Sequence, residues 1–483
     1  MFENKLITLL RTLKTKEISR FSEFVHSPYF NKHEQVSALS DYLLKLAPDF
    51  SDSQKLQKEK VYARLFGSKT YDDNFFASII SKLLKLLEDF LAQELFDSKF
   101  CKKELLVLEA MRLRKLDKHF KTAERSCTKA LNGVIEGQIE QTYQKMQLAK
   151  EQDQWFVEQG GRVYNESLQK QSDLLDAYFI IEKLKLACDM ENRNRVSRSD
   201  YQAKLLAEIE LFIAQQPDFA LSYPIITMYL LVLDLLRNSN SEQYEQLKIE
   251  IGNQQDKLGA AERKEFYGYA LNFCIQQVNR GEDRYFKEIL SIYKSLLYNG
   301  LLFSEGQLPA WEYKNIVTAA LRCREFDWTE TFLKDYKKYL SADVMENSYR
   351  YNSASFYYGA GRYKEALQLL HNVSFTDITY HLGAKTIQLK IYFELKEWDA
   401  LLASLDAFTA YLRRNKELAE YQKIANMNLV TVCRNMAKLI QMSDWKKEAS
   451  LANKKNNIRI QLESLKPLPS KEWLEEQWRE FFT

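Results

Sequence analysis

The chain has 483 residues, 46% hydrophobic and 28% charged, a balance that excludes disorder over most of its length. Its 14 glycines and 7 prolines are too few for the tight turns of a strand-rich fold. The formal net charge of +3, with lysine and glutamate interspersed, neither demands nor excludes a nucleic-acid partner.

In chain order, Met1 to Arg11 reads as a short amphipathic helix, because Arg11 interrupts the apolar run and no small-residue cleavage site follows. From Lys14 to His26, Ile18, Phe21, Phe24 and Val25 recur at helical spacing. Ser27-Pro28-Tyr29-Phe30-Asn31 ends that helix, since proline disfavours helix in the residue before it. Tyr29 and Phe30 are expected to tuck this turn back onto the core. A helix over Glu34 to Leu46 ends at Pro48, and another over Lys58 to Phe66 ends at Gly67. From Asp73, the residues Phe75, Phe76, Ile79, Ile80, Leu83, Leu84, Leu87, Phe90 and Leu91 form a broad apolar stripe. Asp72 or Asp73 suits its N-cap. Residues 1–97 are expected to form an N-terminal helical module around this helix.

Residues 98–172 read as a helical linker region. It opens with a hairpin over 100–132 that bends near Asp117 to His119. Nine glutamines then fall between 133 and 172, where long polar helices break at Gly160-Gly161. No heptad is sustained there, so a coiled coil is not expected.

Residues 173–466 read as stacked helical hairpins. A first helix, Leu174 to Met190, is expected to pack Leu175, Tyr178, Phe179, Leu184 and Cys188, with a partner over Tyr201 to Gln215. Arg193, Arg195 and Arg198 fall in the intervening loop. Further pairs are Tyr223–Arg237 with Glu242–Lys257, and Ala261–Val278 with Asp283–Leu297. After residue 310, short polar turns each carry an aromatic just past the bend: Trp328, Tyr363, Trp398 and Trp445. The first two intervals are 35 residues and the third is 47; a period near 34 is the tetratricopeptide spacing. Tyr357, Gly361, Tyr363, Ala366 and Leu370 match the second half of that consensus, and Tyr392 and Trp398 keep part of it one unit later. The glycine permits a sharp turn, and each ring buries on the order of 150–250 Å² where one hairpin meets the next. A lone hairpin leaves an apolar flank that only a neighbour can cover, so the units must stack. Pro467 and Pro469 close the last long helix. Residues 467–483 are expected to form a C-terminal capping helix with Trp473, Leu474, Trp478, Phe481 and Phe482 on one side, the alternative being a docking peptide for a partner groove. The fold class is therefore all-α: an N-terminal helical module, a tetratricopeptide-like solenoid and a capping helix.

Three segments carry a family resemblance. They are Phe21-x-x-Phe24 with Ser27-Pro28-Tyr29-Phe30-Asn31-Lys32, Leu83 to Leu91 within the strongest helix, and Leu175-Asp176-x-Tyr178 with Glu182-Lys183-Leu184-Lys185 and Cys188. Together they resemble an uncharacterised family of tetratricopeptide-like proteins frequent in Bacteroidota. The resemblance implies a helical-repeat fold in a bacterial cytoplasm and no particular activity.

Motifs for chemistry are sparse. Gly359-Ala360-Gly361 begins like a dinucleotide fingerprint but lacks its third glycine and lies between helices. The five histidines show no ligand spacing, so no metal or cofactor is expected. Ser126-x-x-Lys129 and Ser291-x-x-Lys294 lack the companion motifs of serine–lysine hydrolases. The six cysteines are widely scattered, as in a reduced, cytoplasmic chain. No run of 18 apolar residues exists to suggest a membrane span. Basic clusters occur at Arg413-Arg414 and at Lys446-Lys447 with Lys454-Lys455 and Arg459. The expectation is a non-enzymatic scaffold for a protein or peptide partner. A nucleic-acid-associated regulator, with residues 1–97 as reader and the repeats as sensor, is the alternative.

Overall fold

The computed structural model describes residues 5–47, 50, 55–67, 70–99, 101–133, 138–197, 199–371, 378–443 and 451–482. Pro48, Arg198, Trp445, Lys446 and Lys447, all singled out above, lie outside the described residues. Every regular element described is a helix, apart from one isolated bridge between Ser304 and Gln307. None of the described helices is long and apolar enough to cross a membrane. Two compact units are present: residues 1–190, 200–229 and 256–259, and residues 191–199, 230–255 and 260–483.

The first unit begins with α1 (Lys5–Leu10), α2 (Thr15–His26), α3 (Glu34–Leu44), α4 (Lys58–Phe66) and α5 (Asp73–Ser98). Asp72 caps α5 by accepting a bond from the Phe75 N–H at 2.9 Å. The α5 stripe buries Phe76, Ile79, Ile80, Leu83, Leu87 and Phe90 against α1, α2 and α3. Phe75 falls at the edge of that stripe and is 44% exposed. The turn after α2 departs from expectation. Phe30 stacks on Phe24 at 4.0 Å, whereas Tyr29 is 86% exposed. Phe30 is itself 46% exposed and meets Tyr29 edge to face at 5.0 Å, so the turn lays its rings along the surface of α2 and does not bury them in the core.

Next come α6 (Lys102–Leu113), α7 (Asp117–Gly133) and α8 (Gln138–Glu158), a mutually packed trio. Arg112 of α6 bonds Glu151 at 2.8 Å and Glu158 at 2.5 Å on α8. Trp155 lies flat on Phe120 at 5.2 Å. Then follow α9 (Glu166–Ser197), α10 (Leu206–Gln215), α11 (Pro217–Ser222) and α12 (Pro224–Asn238). The helix α9 corrects two expectations. It runs 32 residues without a break, so Arg193 and Arg195 are helical; no glycine or proline interrupts that stretch. Its inward face is Leu174, Ala177, Ile180, Ile181, Leu184 and Cys188, while Leu175 and Phe179 are 50% and 43% exposed. Both faces carry apolar residues, so periodicity alone does not say which one is covered.

In the second unit, α13 (Ser241–Asn253), α14 (Ala260–Asn279), α15 (Tyr285–Tyr298), α16 (Ala310–Arg322), α17 (Phe326–Tyr336), α18 (Met345–Gly359) and α19 (Tyr363–His371) follow in turn. They continue as α20 (Ile378–Glu394), α21 (Trp398–Arg414), α22 (Glu420–Ser443), α23 (Ala452–Ser464) and α24 (Lys471–Phe482). From α13 to α22 each helix packs on the next, and α18 also packs on α16 and α20. Four of the hairpin turns share one backbone conformation. Gly281, Arg324, Gly361 and Lys396 all have positive φ. In each turn the following N–H reaches back five residues: Glu282 to Gln277, Glu325 to Ala320, Arg362 to Tyr357 and Glu397 to Tyr392, at 2.8–3.0 Å. All four turns carry the same helix-ending motif, which also closes helices at Lys115, Gly160 and Gly300. Glycine suits it best, yet arginine and lysine occupy it in two of the four turns.

Candidate interaction surface

Trp445 lies outside the described residues; the other sequence anchors make contacts within and between hairpins. Ala366 is fully buried, and Tyr363 packs on Tyr358 at 5.8 Å. Gly361 has φ +73° with open space around its Cα, so the turn conformation and not crowding calls for glycine. The Arg362 guanidinium lies over the Tyr357 ring at 4.4 Å. Tyr392 accepts a bond from Gln388 at 3.3 Å. Trp328 stacks on Phe332 at 5.3 Å, with the Lys294 ammonium 4.7 Å from its ring. Trp398 meets Phe393 at 5.4 Å and Phe481 at 6.3 Å. These rings build the stack; they are not displayed for a ligand.

The capping helix α24 packs on α22 and α23, burying Trp473 and Leu474. The Trp473 Nε1–H donates to Glu394 at 2.7 Å. Lys390 sits beneath this helix, its ammonium 5.3 Å from the Trp473 ring and 5.9 Å from the Tyr358 ring. Burial, with Arg322 nearby, pulls its pKa down to about 8. Lys390 is thus a tuned amine that linear reading missed, because its cage comes from α18 and α24.

A different set of rings and cations lies on α16, α18 and α20. Trp311 is 62% exposed at the start of α16, one residue from Ala310, whose carbonyl accepts a bond from the Tyr380 hydroxyl at 3.0 Å. The Lys314 ammonium stands 5.4 Å from the Tyr351 ring and 5.6 Å from the Tyr380 ring. Next along α20, His381 stacks on Tyr411 at 4.1 Å, and burial lowers its pKa. Lys385 donates to Gln388 at 3.1 Å, and burial lowers its pKa too. Helix spacing places Trp311, Lys314 and Thr318 on one side of α16, opposite the core residues Tyr313, Ile316, Val317 and Ala320. Trp311 is exposed and Lys314, Tyr380, His381 and Lys385 are half-buried, so α16 and α20 carry rings and cations that reach solvent, while the Tyr351 ring of α18 is buried.

Several other sequence candidates make contacts within the fold. The Arg195 guanidinium donates to Ser239 at 2.8 Å and to the Arg237 carbonyl at 2.9 Å, tying helix ends together. Arg459 pairs with Glu463 along α23. Cys101 and Cys127, far apart in sequence, bring their sulfurs to 3.4 Å, and burial keeps Cys127 protonated by pushing its pKa up. Glu312 is a buried acid whose carboxyl is pushed above the usual 4.5, chiefly by burial, against the opposing hydrogen bond from Tyr293 and charge of Lys264. Among the described residues, no group of three or more His, Cys, Asp or Glu is placed to hold a metal. Comparison with family models, curated proteins and solved structures finds no match to this chain.

Proposed function

We propose that the chain is a non-enzymatic interaction scaffold whose helical hairpins act as a tetratricopeptide-like groove for a protein or peptide. The observation that carries this reading is the set of rings and cations that α16 and α20 bring to solvent. Trp311 exposes most of a large ring on the side of α16 away from its core residues, and Lys314, Tyr380 and Lys385 lie along the same hairpins. Surface tryptophans and tyrosines bury much area at little entropic cost, which is why they concentrate in interfaces. Lys314 and Lys385 favour a partner segment bearing carboxylates beside an apolar anchor. The resemblance to helical-repeat proteins of Bacteroidota implies the fold and a cytoplasmic location but no activity, and that location belongs to the same reading.

The test is a photo-crosslinking amino acid placed at Trp311 in the full chain, followed by mass spectrometry of adducts formed in cells. One reproducible protein adduct, lost when Lys314→Glu and Lys385→Glu are combined, supports the proposal. Adducts mainly to nucleic acid, or no reproducible protein adduct, overturn it.

A further inference from the structure

The exposed face of α9 carries a pattern with its own symmetry. Leu168, Leu175, Phe179 and Leu186 are 58%, 50%, 43% and 45% exposed. At 100° per residue they fall within a narrow stripe, and Ser172 and Glu182 lie in the same stripe. The six positions read Leu, Ser, Leu, Phe, Glu, Leu and are arranged evenly about Ala177. Leu168 is as far before that point as Leu186 is after it. The same holds for Ser172 with Glu182 and for Leu175 with Phe179.

We infer that α9 pairs with the α9 of a second copy of this chain, antiparallel and centred on Ala177. In a two-fold interface residue i meets residue j and j meets i. That operation sets leucine on leucine at both ends, leucine on phenylalanine at the centre, and the serine hydroxyl opposite the glutamate carboxylate. Apolar positions thus meet apolar ones, and the two polar positions meet each other. The flanks obey the same rule: Lys183 faces Gln171, Lys185 faces Gln169 and Asp176 faces Tyr178, so no acid opposes an acid and no base opposes a base. A parallel pairing sets every residue against its own copy, opposing Glu182 to Glu182 and Lys183 to Lys183, which is unfavourable.

The seam is about 27 Å long, five helical turns. It does not end at α9. Phe179 lines a groove of about 310 Å³ with Leu205, Ile209 and Phe212 of the α10 region, and Leu205 and Phe212 are 54% and 40% exposed. An apolar surface continuous over two helices is the kind that marks a contact site rather than scattered surface leucines.

The test is the mass of the full chain by size-exclusion chromatography with light scattering at micromolar concentration. The wild type runs at twice the 57.0 kDa of one chain. Leu175→Lys and Phe179→Glu each remove a central contact that the two-fold repeats, raising the dimer dissociation constant about 100-fold or more. The double variant sets each new lysine against the partner's new glutamate and restores the dimer. Leu175 and Phe179 are half exposed, so both single variants keep the helical circular dichroism of the wild type. A wild-type monomer at every concentration overturns the pairing and leaves the stripe to a different occupant. A dimer that the single variants do not weaken, or that the double variant does not restore, overturns this register.

Discussion

Gly383 lies inside α20, where replacing glycine by alanine normally stabilises a helix by about 1 kcal/mol. Here the structure reverses the sign. An ideal Cβ at Gly383 stands 2.4 Å from the Tyr351 hydroxyl oxygen and 2.9 Å from two carbons of that ring. Tyr351 is 8% exposed and is held at 5.0 Å against Tyr380, so the ring has little room to swing away. Overpacking of this kind costs roughly 1–3 kcal/mol, which offsets or exceeds the helical gain. Gly268, inside α14, is the matched control, because nothing lies within 4 Å of its ideal Cβ. Gly268→Ala therefore gains about 1 kcal/mol, while Gly383→Ala is neutral to destabilising by about 2 kcal/mol. The two variants separate by roughly 2–12 °C in Tm for a unit of this size. Six of the seven tryptophans belong to the second unit, so thermal or urea melts followed by intrinsic fluorescence report mainly on it. Adding Tyr351→Phe to Gly383→Ala recovers part of the loss, since it removes the atom at 2.4 Å and leaves the ring carbons. Equal stabilisation by the two alanines refutes the close-approach argument.

Other outcomes follow from the same geometry. Arg324→Gly and Lys396→Gly relieve a left-handed backbone at the hairpin turns and stabilise by about 0.5–1 kcal/mol each, with Gly361→Ala shifting the melt the opposite way; unchanged melting in all three counts against the shared turn motif. Arg112→Ala strands Glu151 in the seam between α6 and α8 and destabilises the first unit by about 3–5 kcal/mol, read as faster hydrogen exchange in both helices. The raised pKa of Glu312 means that the folded chain holds a proton that the unfolded chain releases above 4.5. That contribution is complete below 4.5 and is lost as pH rises through the folded value, so stability falls with pH over this window. Glu312→Gln flattens the fall, and urea midpoints measured across the window check it.

The N-terminal helices were legible because their signals are local. Asp72 caps, Gly67 stops α4, and the α5 stripe declares its buried face without reference to any other helix. The hairpin spacing after residue 310 was legible for a similar reason: a turn needs a positive φ and an aromatic to seal it, and both leave a mark in the chain. The mark fades where arginine or lysine takes the glycine position, because one strained residue costs little against the packing of a whole hairpin.

Sidedness was not legible. Leu175 and Phe179 are as apolar as Leu174 and Ile181, and only the position of the neighbouring helices decides which pair is covered. The same holds for the cage around Lys390, the adjacent Cys101 and Cys127, and the rings around Lys314, each assembled from residues distant in sequence. Helical periodicity states which residues share a face; burial, pKa and recognition depend on what stands opposite, and that is set by the packing of helices against one another.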